Sequence, residues 1–349
     1  MRLNLTLFHR TLFRGKAEPS AFDSTAFEVR SDTIRRVGRY NMQYYLAPME
    51  GLTGYIYRNA HRAVFGGMDK YFTPFITPNH NRNLTSREMR DVQPEHNASD
   101  VVPQIMANDA AAFIWAADKL AQLGYDEVNL NLGCPSRTVV TKGRGAGFLG
   151  RPTALDEFLA QVFDCVRIRV SVKARIGLSD CAELPGLMNI FNRYPICELT
   201  LHARVQSAYY KGVPDLYSYE RAARMANMPL VYNGDVFSPA DAADIEKRFP
   251  STVAIMMGRG VMANPALGRE IRGGAPASAD ELRTFHDMLI HGYIEDMNDK
   301  TNAILRMKEL WSYMGAMFPD AEKPLKKLRK SKRPEDYFAA VDEVFEMAQ

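Results

Sequence analysis

The sequence predicts an α/β protein in which a (β/α)8 TIM barrel is followed by a small all-helical domain. The first observation is that strand-like segments alternate with helix-like segments from Met42 to Gly274, which is typical of βα units and a parallel sheet. The second is that eight such strands lie within roughly 220 residues, as a barrel requires. The third is that the first βα turn, Met49–Gly54, has no GxGxxG pattern, which disfavours an open dinucleotide-binding sheet.

The predicted strands are short apolar runs bounded by turn residues. They are Gln43–Pro48, Lys70–Phe75, Val101–Met106, Asp126–Leu132, Val170–Arg175, Glu198–His202, Leu230–Asn233 and Thr252–Met257. Three stretches between them have the apolar spacing of amphipathic helices, namely Asp109–Leu123, Asp156–Val166 and Pro239–Arg248. After Gly274 the strand pattern stops and a helical pattern continues.

This pattern predicts three parts of the chain. Residues 1–41 form an N-terminal extension of unknown role, residues 42–274 the barrel, and residues 275–349 the helical domain. In the extension Arg2, Arg10 and Arg14 precede the first acidic residue, Glu18, so a transit peptide is the alternative interpretation.

The composition excludes several classes of protein. Hydrophobic residues make up 46% and charged residues 24%, which is typical of a globular protein. The net charge of +3 is too small to indicate a polyanionic partner without local clusters. The four cysteines, Cys134, Cys165, Cys181 and Cys197, form no CxxC pair, so we expect free thiols, no metal site and a reducing, cytoplasmic setting. No apolar run reaches the ~18 residues of a membrane span, so we expect no membrane partner.

Polar residues and glycines cluster where the predicted strands end, which is the side of a barrel that carries the active site. In strand order they are Pro48, Met49 and Glu50; Gln104; Asn131 and Cys134; Lys173 and Arg175; His202 and Arg204; Asn233, Gly234 and Asp235; and Gly258 and Arg259. Each glycine turn by itself is compatible with an ordinary loop. Two such turns at adjacent strand ends suit a phosphate, to which Arg259 would add a charge.

Lys173 and His202 each allow two interpretations. A lysine inside the apolar strand around Val172 is costly unless it meets an anion or an electron-rich group, and an ion pair with a carboxylate is the alternative. His202 could be a hydrogen-bonded core histidine. Its position at a strand end, two residues before Arg204, favours a site because both side chains then lie on one face.

Cys134 differs from the other cysteines, which we interpret as small buried hydrophobic residues. It lies in a Gly-Cys-Pro turn at the end of the fourth strand, and the basic loop Lys142–Gly147 follows it. A thiol in this position can act in general acid–base chemistry.

Together these motifs resemble the tRNA-dihydrouridine synthases, flavin enzymes that reduce uridine in tRNA. The resemblance runs from about Tyr45 into the C-terminal helices. It is carried, in order, by Ala47–Met49, Asn131–Pro135, Lys142–Gly147, Val172–Arg175, Leu201–Arg204, Asn233–Asp235 and Gly258–Gly260.

The resemblance implies a role for each of these groups. FMN would lie across the barrel mouth. Its ring would be bordered by Pro48, Met49, Glu50 and Gln104 and contacted by Lys173 and His202, and its phosphate would be held by Asn233, Gly234, Asp235, Gly258 and Arg259. Cys134 would be the general acid. Asn131 would orient the uracil, and Lys142, Arg144 and Arg204 count with it as substrate contacts.

The implied reaction has two halves, in which NADPH or NADH reduces FMN and the flavin then passes a hydride to C6 of uracil while Cys134 protonates C5. The partner would be tRNA, bound by a monomer. Residues Lys323–Arg333 carry seven basic side chains and no acidic one, which indicates either a tRNA contact or a solvated helix face. The loop Thr77–Ser99 is a second candidate contact.

Two other functions remain open at this point. One is a different FMN barrel such as a dihydroorotate dehydrogenase, and the other is a non-catalytic tRNA-binding protein.

Overall fold

The computed structural model describes residues 42–78 and 82–348. The predicted N-terminal extension, at residues 1–41, lies outside the described residues, as does a short part of the loop Thr77–Ser99. The predicted barrel is confirmed within the described part of the chain.

All strands of the described residues run parallel in one sheet whose order is β3-β2-β1-β9-β8-β7-β6-β5-β4. They are β1 (Gln43–Leu46), β2 (Lys70–Phe72), β3 (Val101–Val102), β4 (Gln104–Ile105), β5 (Glu127–Leu132), β6 (Arg169–Arg175), β7 (Leu199–His202), β8 (Leu230–Asn233) and β9 (Ala254–Met257). A strand forms at each of the eight predicted segments, although β1, β2 and β9 are two or three residues shorter than predicted. The third predicted strand, Val101–Met106, is divided into β3 and β4.

Pro103 causes this division and also closes the barrel. Proline has no N–H to donate to a ladder, so the strand pairs with β2 before Pro103 and with β5 after it. The carbonyl of Pro103 still accepts the N–H of Asn129 at 2.8 Å, and the N–H of Gln104 donates to Oγ1 of Thr73 at 3.0 Å. The two ends of the sheet are therefore joined through one bent strand.

Ten helices of the described chain accompany the barrel strands. They are α1 (Tyr55–Val64), α2 (Ser86–Val92), α3 (Ala110–Gln122), α4 (Arg137–Val140), α5 (Pro152–Cys165), α6 (Leu184–Phe191), α7 (Leu216–Met225), α8 (Pro239–Arg248), α9 (Arg259–Ala263) and α10 (Leu267–Ile271). The three predicted helices are confirmed as α3, α5 and α8, although α5 begins four residues earlier because Pro152 occupies its first position. Asp109 caps α3 by accepting the N–H of Ala112 at 2.7 Å.

Four helices follow residue 274 within the described chain, as predicted. They are α11 (Ala279–Met297), α12 (Lys300–Met314), α13 (Glu322–Lys330) and α14 (Pro334–Glu346). Helix α11 packs on α1 through Phe285, whose ring meets those of Tyr57 and Phe65 edge to face at 5.4 and 5.3 Å. The helical region therefore rests on the first helix of the barrel, and its division from the barrel at residue 274 stays a prediction.

The period of two along each strand separates apolar from polar residues across the barrel wall. In β5, Val128, Leu130 and Leu132 face outward into the core beneath the helices. Glu127, Asn129 and Asn131 alternate with them and are almost fully buried on the other face. The apolar part of the interior is a separate cluster formed by Tyr45, Ala47, Phe72, Val102, Val231, Ala254 and Met256. The inner face of β5 thus carries polar groups from one end of the barrel to the other.

A charged cluster seals the end of the barrel at which the strands begin. Nζ of Lys70 donates to Glu127 at 3.1 Å and to Glu198 at 2.9 Å, and the hydroxyl of Tyr45 donates to Glu198 at 2.9 Å. Only 1% of the Glu127 side chain is exposed. Lys70 is therefore the cation that the two carboxylates share, and Arg169 lies 3.4 Å from Glu127 as a second cation at the edge of the cluster.

Replacing Lys70 with Met should lower the free energy of unfolding by about 3 kcal/mol, because it leaves two adjacent carboxylates without their shared cation. Denaturant unfolding would measure the loss. The matched control is Arg224→Met, which removes an exposed i,i+4 ion pair with Glu220 and should change stability by less than about 0.5 kcal/mol. Equal effects of the two substitutions would contradict a structural role for the Lys70 cluster.

Candidate active site

The strand register brings the predicted strand-end residues together. Asn131 of β5 lies beside Lys173 of β6, and Arg175 of β6 lies beside His202 of β7. His202 lies in turn beside Asn233 of β8. Because all strands are parallel, these side chains meet at the carboxyl end of the barrel.

A pocket of about 280 Å³ opens at this end of the barrel. Its volume is close to the lower end of the range of ligand sites, roughly 300 to 1,000 Å³. The predicted site residues that line it are Pro48, Met49, Glu50, Asn131, Cys134, Lys173, His202, Asn233, Gly234, Gly258 and Arg259. Gln104, Asp235, Lys142, Arg144 and Arg204 do not line it.

Gln104 lies behind the pocket in a chain of buried amides. Its Nε2 donates to Oδ1 of Asn129 at 2.8 Å, and Nδ2 of Asn129 donates to Oγ of Ser171 at 2.9 Å. Its Oε1 accepts Nδ2 of Asn131 at 2.7 Å. Gln104 and Asn129 are fully buried, so these two amides join β4, β5 and β6 without contacting the pocket, which the chain reaches only through Asn131.

Asn131 connects this chain of buried amides to the backbone of Cys134. Its Oδ1 accepts the backbone N–H groups of Gly133 at 3.0 Å and Cys134 at 2.9 Å. Two amide donors on one fixed oxygen define the turn that carries the thiol. The side chain of Asn131 also lines the pocket, so it can contact a ligand as well as position Cys134.

Burial raises the pKa of the Cys134 thiol above its ordinary value, and only partial compensation comes from a backbone hydrogen bond of Ser136 and the charge of Arg175. The thiol therefore keeps its proton at neutral pH. A protonated thiol in a pocket wall is suited to donate a proton rather than to act as a nucleophile.

The loop Lys142–Gly147 is tied to the barrel beside Cys134. The N–H of Ala146 donates to the Cys134 carbonyl at 3.1 Å. Asn108 holds the loop by donating to the carbonyl of Lys142 at 3.0 Å and by accepting Nε of Arg144 at 3.2 Å. The two basic side chains predicted as substrate contacts thus lie outside the pocket, on a loop that packs against the thiol.

Lys173 contributes an amine to the pocket wall. Its Nζ donates to Oδ1 of Asn233 at 2.6 Å, while Nδ2 of Asn233 donates to the carbonyl of Met256 at 2.7 Å. Burial and the nearby charge of Arg175 lower the pKa of Lys173 to about 7. It makes no ion pair with a carboxylate among the described residues, which removes the alternative interpretation from the sequence.

His202, Arg204 and Asp235 form one network beside the pocket. Arg204 binds both oxygens of Asp235, at 3.0 and 2.6 Å, and its Nη1 lies 3.3 Å from Nε2 of His202. Asp235 also binds Arg259 at 2.5 Å. Burial and the charges of Arg175, Lys173, Arg204 and Arg259 lower the pKa of His202 well below its usual value, so the ring is neutral.

The turns after β8 and β9 present free backbone donors. The N–H groups of Gly234, Asp235, Gly258 and Arg259 donate to no group of residues 42–78 or 82–348. The carboxylate of Asp235 is neutralised by its two arginines, so it does not repel an anion from these donors. Together with Arg259, the two turns form a donor set that suits a phosphate.

Comparison with known proteins identifies the family. The family described as dihydrouridine synthase matches residues 45–347. The chain belongs to the dihydrouridine synthase family. Among its curated relatives, a tRNA-dihydrouridine synthase B of Pasteurella multocida is 25% identical over 80% of this chain and 81% of the relative. A tRNA-dihydrouridine(16) synthase of Cupriavidus necator is 28% identical over 68% of this chain and 76% of the relative.

A solved structure supports the fold of this dihydrouridine synthase family member. A 2-naphthoyl-CoA reductase is 11% identical, covers 69% of this chain and 52% of its own, and superposes with a TM-score of 0.52. At this identity the likeness concerns the barrel alone. The prediction of a TIM barrel from the sequence is consistent with it.

Some pocket residues of this family member received no role from the sequence. They are Phe75, Arg175, Tyr210, Glu309 and Tyr313. The spacing of two between Lys173 and Arg175 was a signal, because it places both on the inner face of β6. Glu309 and Tyr313 lie one turn apart on α12, far away in sequence, and no local pattern indicated that this helix reaches the barrel mouth.

The low pKa of Lys173 has a measurable effect on stability. Between pH 7 and about 10 the unfolded chain holds a proton on Lys173 that the folded protein has lost, so this residue makes stability rise with pH in that window. We expect ligand-free Lys173→Met to gain stability relative to the unchanged protein at pH 7, and this gain should shrink towards pH 10. Denaturant unfolding at several pH values measures the difference, and a gain that is constant with pH would contradict the lowered pKa.

Proposed function

We propose that this protein reduces uridine in tRNA to 5,6-dihydrouridine, with FMN as its bound cofactor and NADPH or NADH as the reductant. The observation that carries the proposal is the protonated Cys134 thiol, held by Asn131 in the wall of a cationic pocket of a dihydrouridine synthase barrel. A non-catalytic barrel would have no need of a thiol fixed in this way.

The residues of the pocket fit FMN in charge and in hydrogen-bonding capacity. The free N–H groups at Gly234, Asp235, Gly258 and Arg259 would hold its phosphate. Lys173 and His202 would face the polar edge of its ring, and Pro48 and Met49 would pack against the ring. Glu50 lies at the same rim. Gln104 would not contact FMN. It would instead hold Asn131 in place, because its side chain contacts Asn131 rather than the pocket.

When bound, FMN supplies the hydride that is delivered to C6 of uracil, and NADPH or NADH restores its reduced form. Cys134 supplies the other hydrogen by donating its thiol proton to C5, so that the C5=C6 double bond gains one hydride and one proton. Asn131 would orient the base. The uridine must leave its stack to reach a thiol inside a barrel mouth, so the substrate is an unstacked nucleotide.

The helical region would hold the rest of the tRNA. Glu309 and Tyr313 of α12 already form part of the pocket wall, so RNA entering the pocket must pass this region. The seven basic residues between Lys323 and Arg333 are all exposed on and just after α13. Lys327 pairs with Glu343 and Arg333 with Asp336, whereas the other five make no ion pair with any described residue. These five are free to neutralise phosphates.

We further propose that the protein acts in the cytoplasm as a monomer. No helix within residues 42–78 and 82–348 is both long and apolar enough to cross a membrane.

Replacing Cys134 with Ala should slow dihydrouridine formation in unmodified tRNA by about 10²- to 10⁴-fold, the usual contribution of a general acid. The flavin absorbance of the purified protein should persist, because Cys134 supplies no cofactor contact. The matched control is Cys165→Ala at the end of α5, which should leave the rate unchanged. The sequence-based interpretation of Cys165 as a buried residue was wrong, because the last turn of α5 exposes its side chain. A Cys134→Ala protein that is as fast as the control would exclude the proton-donor role.

Replacing Lys326, Arg329 and Lys330 with Ala should weaken tRNA binding and lower the slope of log K against log salt by about three, one for each lost phosphate contact. Fluorescence anisotropy with labelled tRNA at several salt concentrations gives the slope. The control on the same surface is the double variant Lys327→Ala and Arg333→Ala, whose side chains are already paired. An unchanged slope in the triple variant would show that α13 does not contact the RNA.

A further inference from the structure

All five N–H donors of Arg204 are used inside the protein. Nε donates to the carbonyl of Lys211 at 3.3 Å, and Nη2 donates to the carbonyl of Gly212 and to Oδ2 of Asp235, both at 2.6 Å. Nη1 donates to Oδ1 of Asp235 at 3.0 Å and lies 3.3 Å from Nε2 of His202. The Arg204 side chain is only 2% exposed. No donor remains for a substrate, although the sequence suggested a substrate contact.

The contact with His202 fixes the proton on its ring. A guanidinium can only donate, so Nε2 of His202 must accept and cannot carry hydrogen. A neutral imidazole then has its hydrogen on Nδ1. Nδ1 has no hydrogen-bond partner among the described residues and is not sealed in the core. Because His202 lines the pocket and its Nε2 is already bound by Arg204, Nδ1–H is the ring donor available to a ligand in the pocket.

We propose that Arg204 is a positioning residue that holds His202 as the neutral Nδ1–H tautomer, so that His202 and Lys173 offer N–H donors to one carbonyl acceptor in the pocket. The two donors come from the adjacent strands β6 and β7. The assignment of the tautomer is independent of the proposed function. Only the identity of the acceptor, a carbonyl oxygen of the flavin, rests on it.

Position 204 requires an arginine because its side chain binds four groups at once. Asp235, the carbonyls of Lys211 and Gly212, and His202 surround the guanidinium in one plane. A lysine has one nitrogen and cannot reach all four at once. Arg204 thus couples the tautomer of His202 to the loop after β7 and, through Asp235, to Arg259.

Nitrogen NMR of the full-length, FMN-loaded protein with isotope-labelled histidine tests the tautomer without any mutation. The chain has seven histidines, and the pair of signals that belongs to His202 would be identified by its loss in His202→Gln. At neutral pH we expect a protonated Nδ1 and an unprotonated Nε2. A hydrogen on Nε2, or on both nitrogens, would overturn the proposal.

Variants then test the role of Arg204. Arg204→Lys should give a mixture of tautomers and raise the dissociation constant of FMN about tenfold, the effect of one lost hydrogen bond. His202→Asn can place an amide N–H near the position of Nδ1, so it should bind FMN more tightly than His202→Gln. An unmixed Nδ1–H tautomer in Arg204→Lys, or equal FMN binding by the two His202 variants, would contradict the proposal.

These outcomes separate the two proposals. A protein that shows the Nδ1–H tautomer but reduces no uridine would remove the proposed function and leave the assignment of Arg204 intact. A protein that forms dihydrouridine with the hydrogen on Nε2 would do the reverse. If Arg204→Lys fails to fold, the spectrum of the unchanged protein still decides the tautomer.

Discussion

The position of the thiol depends on a chain of buried amide hydrogen bonds inside the barrel. Ser171, Asn129, Gln104 and Asn131 follow one another across β6, β5 and β4, and the chain ends on the N–H of Cys134. Each amide uses both its donor and its acceptor, so the chain has one direction and none of its side chains can turn without leaving a buried polar group unpaired. The turn that carries Cys134 is therefore set by the barrel interior rather than by its own loop.

The barrel also holds a cluster of charged side chains at each of its two ends. At the end where the strands begin, Lys70 separates Glu127 from Glu198. At the end where they finish, the single carboxylate of Asp235 bridges Arg204 and Arg259 beside the pocket and leaves one positive charge in excess. Lys173 has no carboxylate partner, and burial lowers its pKa towards neutrality. The excess positive charge thus lies beside the pocket, where an anionic or electron-rich ligand would bind.

The barrel and the C-terminal helices share the pocket, which links the chemistry to substrate recognition. Helix α12 contributes Glu309 and Tyr313 to the pocket wall, and Nη1 of Arg306 on the same helix donates to the carbonyl of Gly51 in the turn after β1. A substrate that reaches Cys134 must therefore pass between the barrel rim and this helix. A large RNA with one unstacked base would meet this requirement under the proposed function, because the base would fill the pocket while the rest would contact α13.

The sequence by itself determined the barrel, the βα alternation and most of the pocket. Strand patterns with a period of two place Asn131 and Lys173 on inner faces, and parallel strands must bring their carboxyl ends together. Only the tertiary structure decided which of these side chains line the pocket and which hold other residues in place. Gln104 and Arg204 occupy strand ends like their neighbours, yet their hydrogen bonds are consumed within the protein. Tyr313 reaches the pocket from a helix remote in sequence. Local patterns specify which face a residue occupies, whereas the partners on that face come from distant segments and are defined only once the chain has folded.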